Sequence, residues 1–284
     1  MEKATLLLEG GAARGIFTTG ALDYLMEKEF VVSDVIGISA GACNLLGYVA
    51  GQKGWLKDCL IHDDGEFCYF DLKNFMYNKS VMDMDLMFDK VPNEMVPFDY
   101  DSYFNSKINS YIGISNCASG QIEYCSGIKD RKKLLDICRA SSSIPVVAPI
   151  VEIDGEGYLD GGISAPMPIK FAEEIGNEKI IVILTKNKGY RKAEKLNQLA
   201  GILNVALGGY PNLLKALDNE EMIYNADMDY LEQLEEEGKI FVIRPEEELC
   251  KLVEQDPAEL TRSYNHGYEN MKAQYDNLLK YMGK

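Results

Sequence analysis

The sequence predicts an α/β fold: one domain with a mostly parallel central sheet flanked by helices and a helical C-terminal elaboration. Three observations carry that expectation. The stretches "ATLLLEGGAARG" and "DVIGISAGACNLLGYVAG" each read as a short apolar strand, a glycine-rich turn and a helix, and two such units in succession call for parallel strands covered by helices. Two hairpin patterns follow in the middle of the chain. Beyond about residue 187 the pattern turns mostly helical and polar.

In order, Ala4 to Leu8 forms the first buried strand. Phe17, Ala21, Tyr24, Leu25 and Lys28 then fall at helical spacing. A second strand ends before Ser39, and a helix rich in Ala and Gly follows. Residues 54–105 form a helical insertion rich in aromatic and methionine residues. Its Met82, Met84, Met87 and Phe88 fit either packing on the core or a lipid-contacting lid. "SYIGISNCASGQIEYCS" is a hairpin turning at Ser119-Gly120, and "RKKLLDICRASSSIP" a helix stopped by Pro145. A second hairpin turns at Asp154-Gly155 and delivers Asp160-Gly161-Gly162. A helix, a strand from Lys179 to Leu184 and a late strand from Lys239 to Arg244 complete the core pattern, which spans about residues 4–185 before the elaboration of 187–284.

Composition narrows the function. An apolar share of 46% with 9 prolines in 284 residues suits a packed globular chain. No apolar run approaches the 18 or so residues of a membrane span, and none resembles a signal-peptide core, so a soluble, unprocessed chain is expected. Seven cysteines without metal-like pairing fit free thiols in a reducing cytoplasm. A net charge of -16 argues against nucleic acid as a partner and discourages electrostatic docking to anionic lipid. Much of that acidity lies late in the chain and reads as solvated helix faces.

The chemistry concentrates in three glycine-rich sites. In "GISAG", Ser39 stands at a strand-to-helix turn whose close backbone approach needs the small residues Gly37, Ala40, Gly41 and Ala42. The following helix N-terminus supplies partial positive charge where an oxyanion can form. Alone the motif is weak evidence, because a serine N-cap in a nucleotide-binding α/β fold gives the same pattern. "GGAARG", residues 10–15, offers backbone N–H groups to an oxyanion. It also approaches the dinucleotide fingerprint, but Ala12 stands where that pattern has glycine. A base for Ser39 would ordinarily be histidine. The chain has two, His62 in the insertion and His266 near its end, and chain order leaves His266 open as a triad member. Asp160 is the stronger candidate, since it ends a strand and two glycines let its turn pack closely. With an ordinary pKa of about 3.9 it would be a feeble base, so the oxyanion donors would carry much of the barrier reduction.

"EGGAARG", "GISAG" and "DGG", in that order at the ends of strands, together resemble the patatin-like phospholipase family and its bacterial cytosolic branch. "ASSSIP", residues 140–145, resembles the family segment before the aspartate hairpin. The resemblance implies a patatin-like three-layer sandwich and a Ser-Asp dyad, with Ser39 as nucleophile and Asp160 as general base. It implies an oxyanion hole from the amides of Gly11, Ala12 and Ala40, and motif glycines at Gly10, Gly15, Gly37, Gly41, Gly161 and Gly162. Arg14 matches a basic residue that orients the loop or attracts a phosphate or carboxylate. The implied substrate is an acyl-lipid or other ester, with transient membrane contact, in the cytoplasm; no cofactor, metal or Ca²⁺ is implied. Two departures stand out. Glu9 replaces the family's leading Asp, and Ala12 replaces its third glycine, where an alanine calls for negative φ. Acyl transfer from a thioester donor and a non-catalytic binding module are the alternatives.

Overall fold

The computed structural model of the chain describes residues 1–62, 68–70, 81–193 and 200–284. Five strands run parallel: β1 (Glu2–Leu8), β2 (Val32–Ile38), β3 (Asn109–Asn116), β7 (Ile180–Ile183) and β8 (Ile240–Ile243), in the order β3-β2-β1-β7-β8. β4 (Ile122–Cys125) and β6 (Glu156–Asp160) pair antiparallel with β3, and β5 (Val151–Ile153) pairs with β6. These are the two hairpins expected from Ser119-Gly120 and Asp154-Gly155. The strands near residues 179–184 and 239–244 are each one residue shorter at both ends than the apolar runs that announce them.

Alternation along the strands makes three layers. Leu6, Leu8, Val35, Ile112, Ile181 and Ile183 point to one face. There they meet α1 (Gly15–Glu27), α2 (Ala40–Ala50), α6 (Arg131–Ser141) and α10 (Pro257–Tyr281). Leu7, Ile36, Ile180 and Val182 point to the other face, against α7 (Ile169–Glu174) and α9 (Pro211–Glu236). A period of two on strands covered from both sides is why the sequence reads as unbroken apolar runs.

The C-terminal helices are not appended loosely. α10 crosses α1 with backbones nearly touching: a Cβ on Gly20 would lie 2.1 Å from Tyr264 O, and one on Gly267 would lie 1.9 Å from Phe17 O. Any larger residue at either position forces the helices apart. Tyr264 Oη donates to Asp23 Oδ2 at 2.7 Å and Tyr268 Oη to Glu27 Oε2 at 2.7 Å across the same crossing. α8 (Ala200–Leu207) and the start of α9 cover the second hairpin, where Leu207, Leu213 and Leu217 pack on Leu159 and Ile163.

The expected insertion holds α3 (Trp55–Leu60), α4 (Leu86–Met95, wound as a π-helix around Pro92) and α5 (Tyr100–Asn105). Its residues 63–67 and 71–80 lie outside the described residues. Met82, Met84 and Phe88 are buried and join the main core cluster. Packing is therefore one of their roles.

The strand pairing along β3 positions Ser39 and Asp160. Ile112 and Gly113 pair with β2 and β4, so those strands lie on opposite edges of β3. Ile114 and Ser115 pair with β4 and β6, so β6 shares the β2 edge. β2 and the antiparallel β6 thus meet end to end along β3: Ile38 pairs with Gly113, and Asp160 pairs with the next residue, Ile114.

Candidate active site

Ser39 and Asp160 are brought together by that end-to-end junction. Ser39 follows β2 and caps α2 with φ 54 and ψ -123, a conformation that costs a non-glycine residue about 1–3 kcal/mol. The turn survives because its surroundings leave no alternative. A Cβ on Gly41 would sit 2.3 Å from Leu8 O, and one on Gly37 2.5 Å from Gly41 O. The Ser39 N–H donates to Ser141 Oγ at 2.9 Å, and that hydroxyl donates to Gly113 O at 2.7 Å, tying the elbow to β3.

Asp160 ends β6. Its N–H donates to Ser143 O at 2.9 Å, so "SSS" holds both residues, one through Ser141 and the other through Ser143. Gly161 lies against Gly113, where a Cβ would meet the carbonyl oxygen at 2.3 Å. The carboxylate accepts from the Gly162 N–H at 2.7 Å. Burial pushes the Asp160 pKa up to about 6, opposed by the neighbouring Ser39 side chain, the Gly162 N–H and Lys192, and reinforced by Glu220. The ordinary value expected from sequence is therefore corrected. Asp160 is a stronger base than a solvated aspartate, while still ionised at neutral pH.

The first loop packs on the elbow. A Cβ on Gly10 would approach Ser39 Cβ to 3.1 Å, and one on Gly11 would approach Thr185 Oγ1 to 2.6 Å. Among the described residues, the N–H groups of Gly11, Ala12 and Ala40 have no hydrogen-bond acceptor. Ala12 adopts φ 48, against the negative φ expected of an alanine. The reason lies outside the loop, in bonds from distant segments. Next to it, the Ala13 N–H donates to Leu252 O at 3.1 Å and Arg14 Nε to Cys250 O at 3.0 Å. Before it, buried Glu9 accepts from Thr185 N and from Tyr224 Oη at 3.0 Å. Fixed on both sides, the residue between keeps a conformation its side chain disfavours. Gly15 starts α1, and its carbonyl accepts from Asn44 Nδ2 at 3.0 Å.

Ser39 stands between two cavities. An apolar one of about 360 Å³ is lined by Cys43, Leu46, Trp55, Phe88, Val91 and Leu260, among others. A second of about 320 Å³ also has a largely apolar lining but holds the charged residues Asp160, Glu9, Arg14, Lys186, Lys192 and Glu220. Arg14 thus lines a cavity while its Nε bonds the Cys250 carbonyl. Of the histidines, His62 lines the apolar cavity and its Nε2 is 3.0 Å from Cys59 O. His266 lies against the Phe17 ring, and its Nε2 accepts from the Glu246 N–H at 3.1 Å. It lines neither cavity. Among the described residues, no three His, Cys, Asp or Glu side chains are grouped to hold a metal ion, and no helix is long and apolar enough to cross a membrane.

Sequence reasoning missed the supporting residues Ser141, Thr185, Lys186, Lys192, Glu220 and Tyr224. One signal was available: Thr185 and Lys186 follow the carboxyl end of a parallel strand, where α/β sheets bind ligands.

A serine on a strained turn beside a carboxylate, within a mixed sheet covered on both faces, defines the α/β class. VipD from Legionella pneumophila shares the fold with a TM-score of 0.50 at 13% identity, over 98% of this chain and 67% of its own. The chain belongs to the patatin-like phospholipase family, which matches residues 6–110 and 125–173; the general activity of that family is lipid acyl hydrolysis. A second family, a domain of unknown function (DUF6363), matches residues 210–283. The protein YjjU of Escherichia coli (strain K12), described as uncharacterized, is 33% identical over 190 residues, covering 64% of this chain and 52% of YjjU. The chain therefore spans about half the length of that curated relative.

Proposed function

We propose that this chain hydrolyses carboxylic esters of acyl lipids through Ser39 and Asp160, by way of an acyl-enzyme. What supports the reading is the placement of Ser39 and the buried Asp160 at the junction of β2 and β6, beside backbone N–H groups that have no acceptor among the described residues. In the first half-reaction Ser39 Oγ bonds to the ester carbonyl carbon as its proton passes to the Asp160 carboxylate. The amides of Gly11, Ala12 and Ala40 receive the negative oxygen. The bond to the leaving oxygen then breaks, and that oxygen takes the proton from Asp160. In the second half-reaction water attacks the acyl carbon, giving its proton to Asp160. The bond from the acyl carbon to Ser39 Oγ then breaks, Oγ takes the proton back from Asp160, and the fatty acid leaves.

With purified protein and a p-nitrophenyl acyl ester, Ser39→Ala and Asp160→Asn are each expected to lower kcat by about 10³-fold or more while the fold is kept. Because the base must be ionised, kcat/KM should rise with pH and level off above about 6. Full turnover in either variant, or no labelling of Ser39 by a fluorophosphonate, would defeat the proposal.

A further inference from the structure

The segment matched by the family of unknown function, residues 210–283, contributes a loop to the first-loop brace. Between β8 and α10, residues 244–256 form neither helix nor strand. Two of their carbonyls nevertheless fix the first loop: Leu252 O accepts from the Ala13 N–H at 3.1 Å and Cys250 O from Arg14 Nε at 3.0 Å. A loop keeps a neighbour in a disfavoured conformation only when it is held itself, since otherwise the brace yields before the strained residue does.

Cys250 is where it is held. From Glu246 to Asp256 it is the one buried residue. Its side chain packs in a small cluster with Ala13, Ile16 and Leu260, apart from the main cores. Its N–H donates to Ser263 Oγ at 3.0 Å. Ser263 is fully buried on α10, four residues before the Gly267 contact that locks α10 to α1. The first loop runs straight into α1 at Gly15. Both ends of the brace are therefore fixed by the same helix pair. Ser263 lines neither cavity, so any effect it has on the reaction passes through Cys250.

We propose that Ser263 is a positioning residue for the oxyanion loop: by fixing Cys250 it holds the two carbonyls that keep Ala12 at φ 48. The C-terminal segment thereby completes a site whose reactive side chains, Ser39 and Asp160, both precede it. This rests on the ester-hydrolase reading above, which makes the Ala12 N–H an oxyanion donor. Without the Ser263 hydroxyl the buried Cys250 N–H loses its acceptor, the loop shifts to satisfy it, and Ala12 relaxes toward negative φ, turning its amide.

The full chain is tested with a matched pair of inhibitors. Ser39 adds to the carbonyl of decyl trifluoromethyl ketone and leaves a negative oxygen, as in the reaction; decanol fills the apolar cavity and leaves none. Ser263→Ala is expected to weaken the ketone about tenfold, part of the roughly 10²–10³-fold that loss of a whole oxyanion donor costs, and to leave decanol unchanged. For the p-nitrophenyl ester kcat should fall while KM is kept. Leu278→Ala, which empties a fully buried position near the far end of α10, should lower the denaturation midpoint and keep the wild-type ratio of ketone to decanol affinity. An unchanged ratio in Ser263→Ala, or an equal change in Leu278→Ala, overturns the proposal. Amide hydrogen exchange in wild type needs no variant to fold: the Cys250 and Ala13 N–H groups should be protected to within about tenfold of each other, and free exchange at Cys250 beside a protected Ala13 also overturns it. Retained turnover in Ser39→Ala sinks the hydrolase reading instead, and the exchange data then still decide whether Ser263 holds the loop.

Discussion

The elbow at Ser39 and the loop at Ala12 each hold a non-glycine residue at positive φ, 54 and 48 respectively, yet they are held in different ways. The elbow is braced against the sheet, by Gly41 of α2 packed on Leu8 and by Ser141 at the end of α6, which links it to β3. The loop is braced from outside. Thr185, Tyr224, Cys250 and Leu252 reach it from segments far along the chain. The elbow is held by segments that precede Asp160, whereas strain in the loop depends on Thr185 after β7, Tyr224 of α9 and the stretch before α10.

Four substitutions sharpen this contrast, in descending order of effect. Gly41→Ala drives a Cβ into Leu8 O, backbone against backbone. It should cost about 3 kcal/mol or more, read as a lowered denaturation midpoint; a loss under 1 kcal/mol would show that the elbow can relax. Asp160→Asn acts in the opposite direction. The Asp160 pKa is near 6 in the folded chain and about 3.9 when unfolded, so the native state binds the proton more tightly. This group therefore removes stability as pH rises from about 4 to 6, and above that it costs about 3 kcal/mol. The asparagine variant should melt higher than wild type at pH 8, with the gain shrinking as pH falls through 6 and gone near 4. An equal gain at both ends of that range would assign the effect to packing instead of charge.

The loop should respond more mildly. Tyr224→Phe removes one donor from the buried Glu9 carboxylate, at about 2 kcal/mol. If the outside brace sets the loop, kcat for the ester falls while the Ser39 fluorophosphonate reaction keeps its pH profile. An unchanged kcat would show that Thr185 suffices. Ala12→Gly relieves the left-handed conformation, worth about 1–2 kcal/mol, but adds unfolded-chain entropy of about 0.5–1 kcal/mol. A net gain of about 1 kcal/mol is expected by chemical denaturation; a loss would mean that the Ala12 methyl packs favourably in the cavities.

The same contrast explains what the sequence disclosed. The elbow was legible because its requirements, an apolar strand, small flanking residues and a helix, fall within about ten consecutive positions. Asp160 was legible because a turn signal and two glycines surround it. The bracing of the first loop was not legible. Glu9 meets Tyr224 and Ala13 meets Leu252 through tertiary packing, and no spacing rule links such distant residues. The same packing overrode the local preference of Ala12 for negative φ. The Asp160 pKa was missed for a related reason, since burial belongs to the assembled fold. The methionines of the insertion fit either packing or a lid by sequence. Met82 and Phe88 are buried in the core and also line the apolar cavity, so one surface serves both uses.

The meeting of β2 and β6 on one edge of β3 has a last consequence. Gly113 and Ile114, joined by a single peptide unit, set the ends of β2 and β6 side by side, so the placement of Ser39 and Asp160 follows from the register on one strand. The long intervening stretch can lengthen, shorten or drift without moving one group relative to the other.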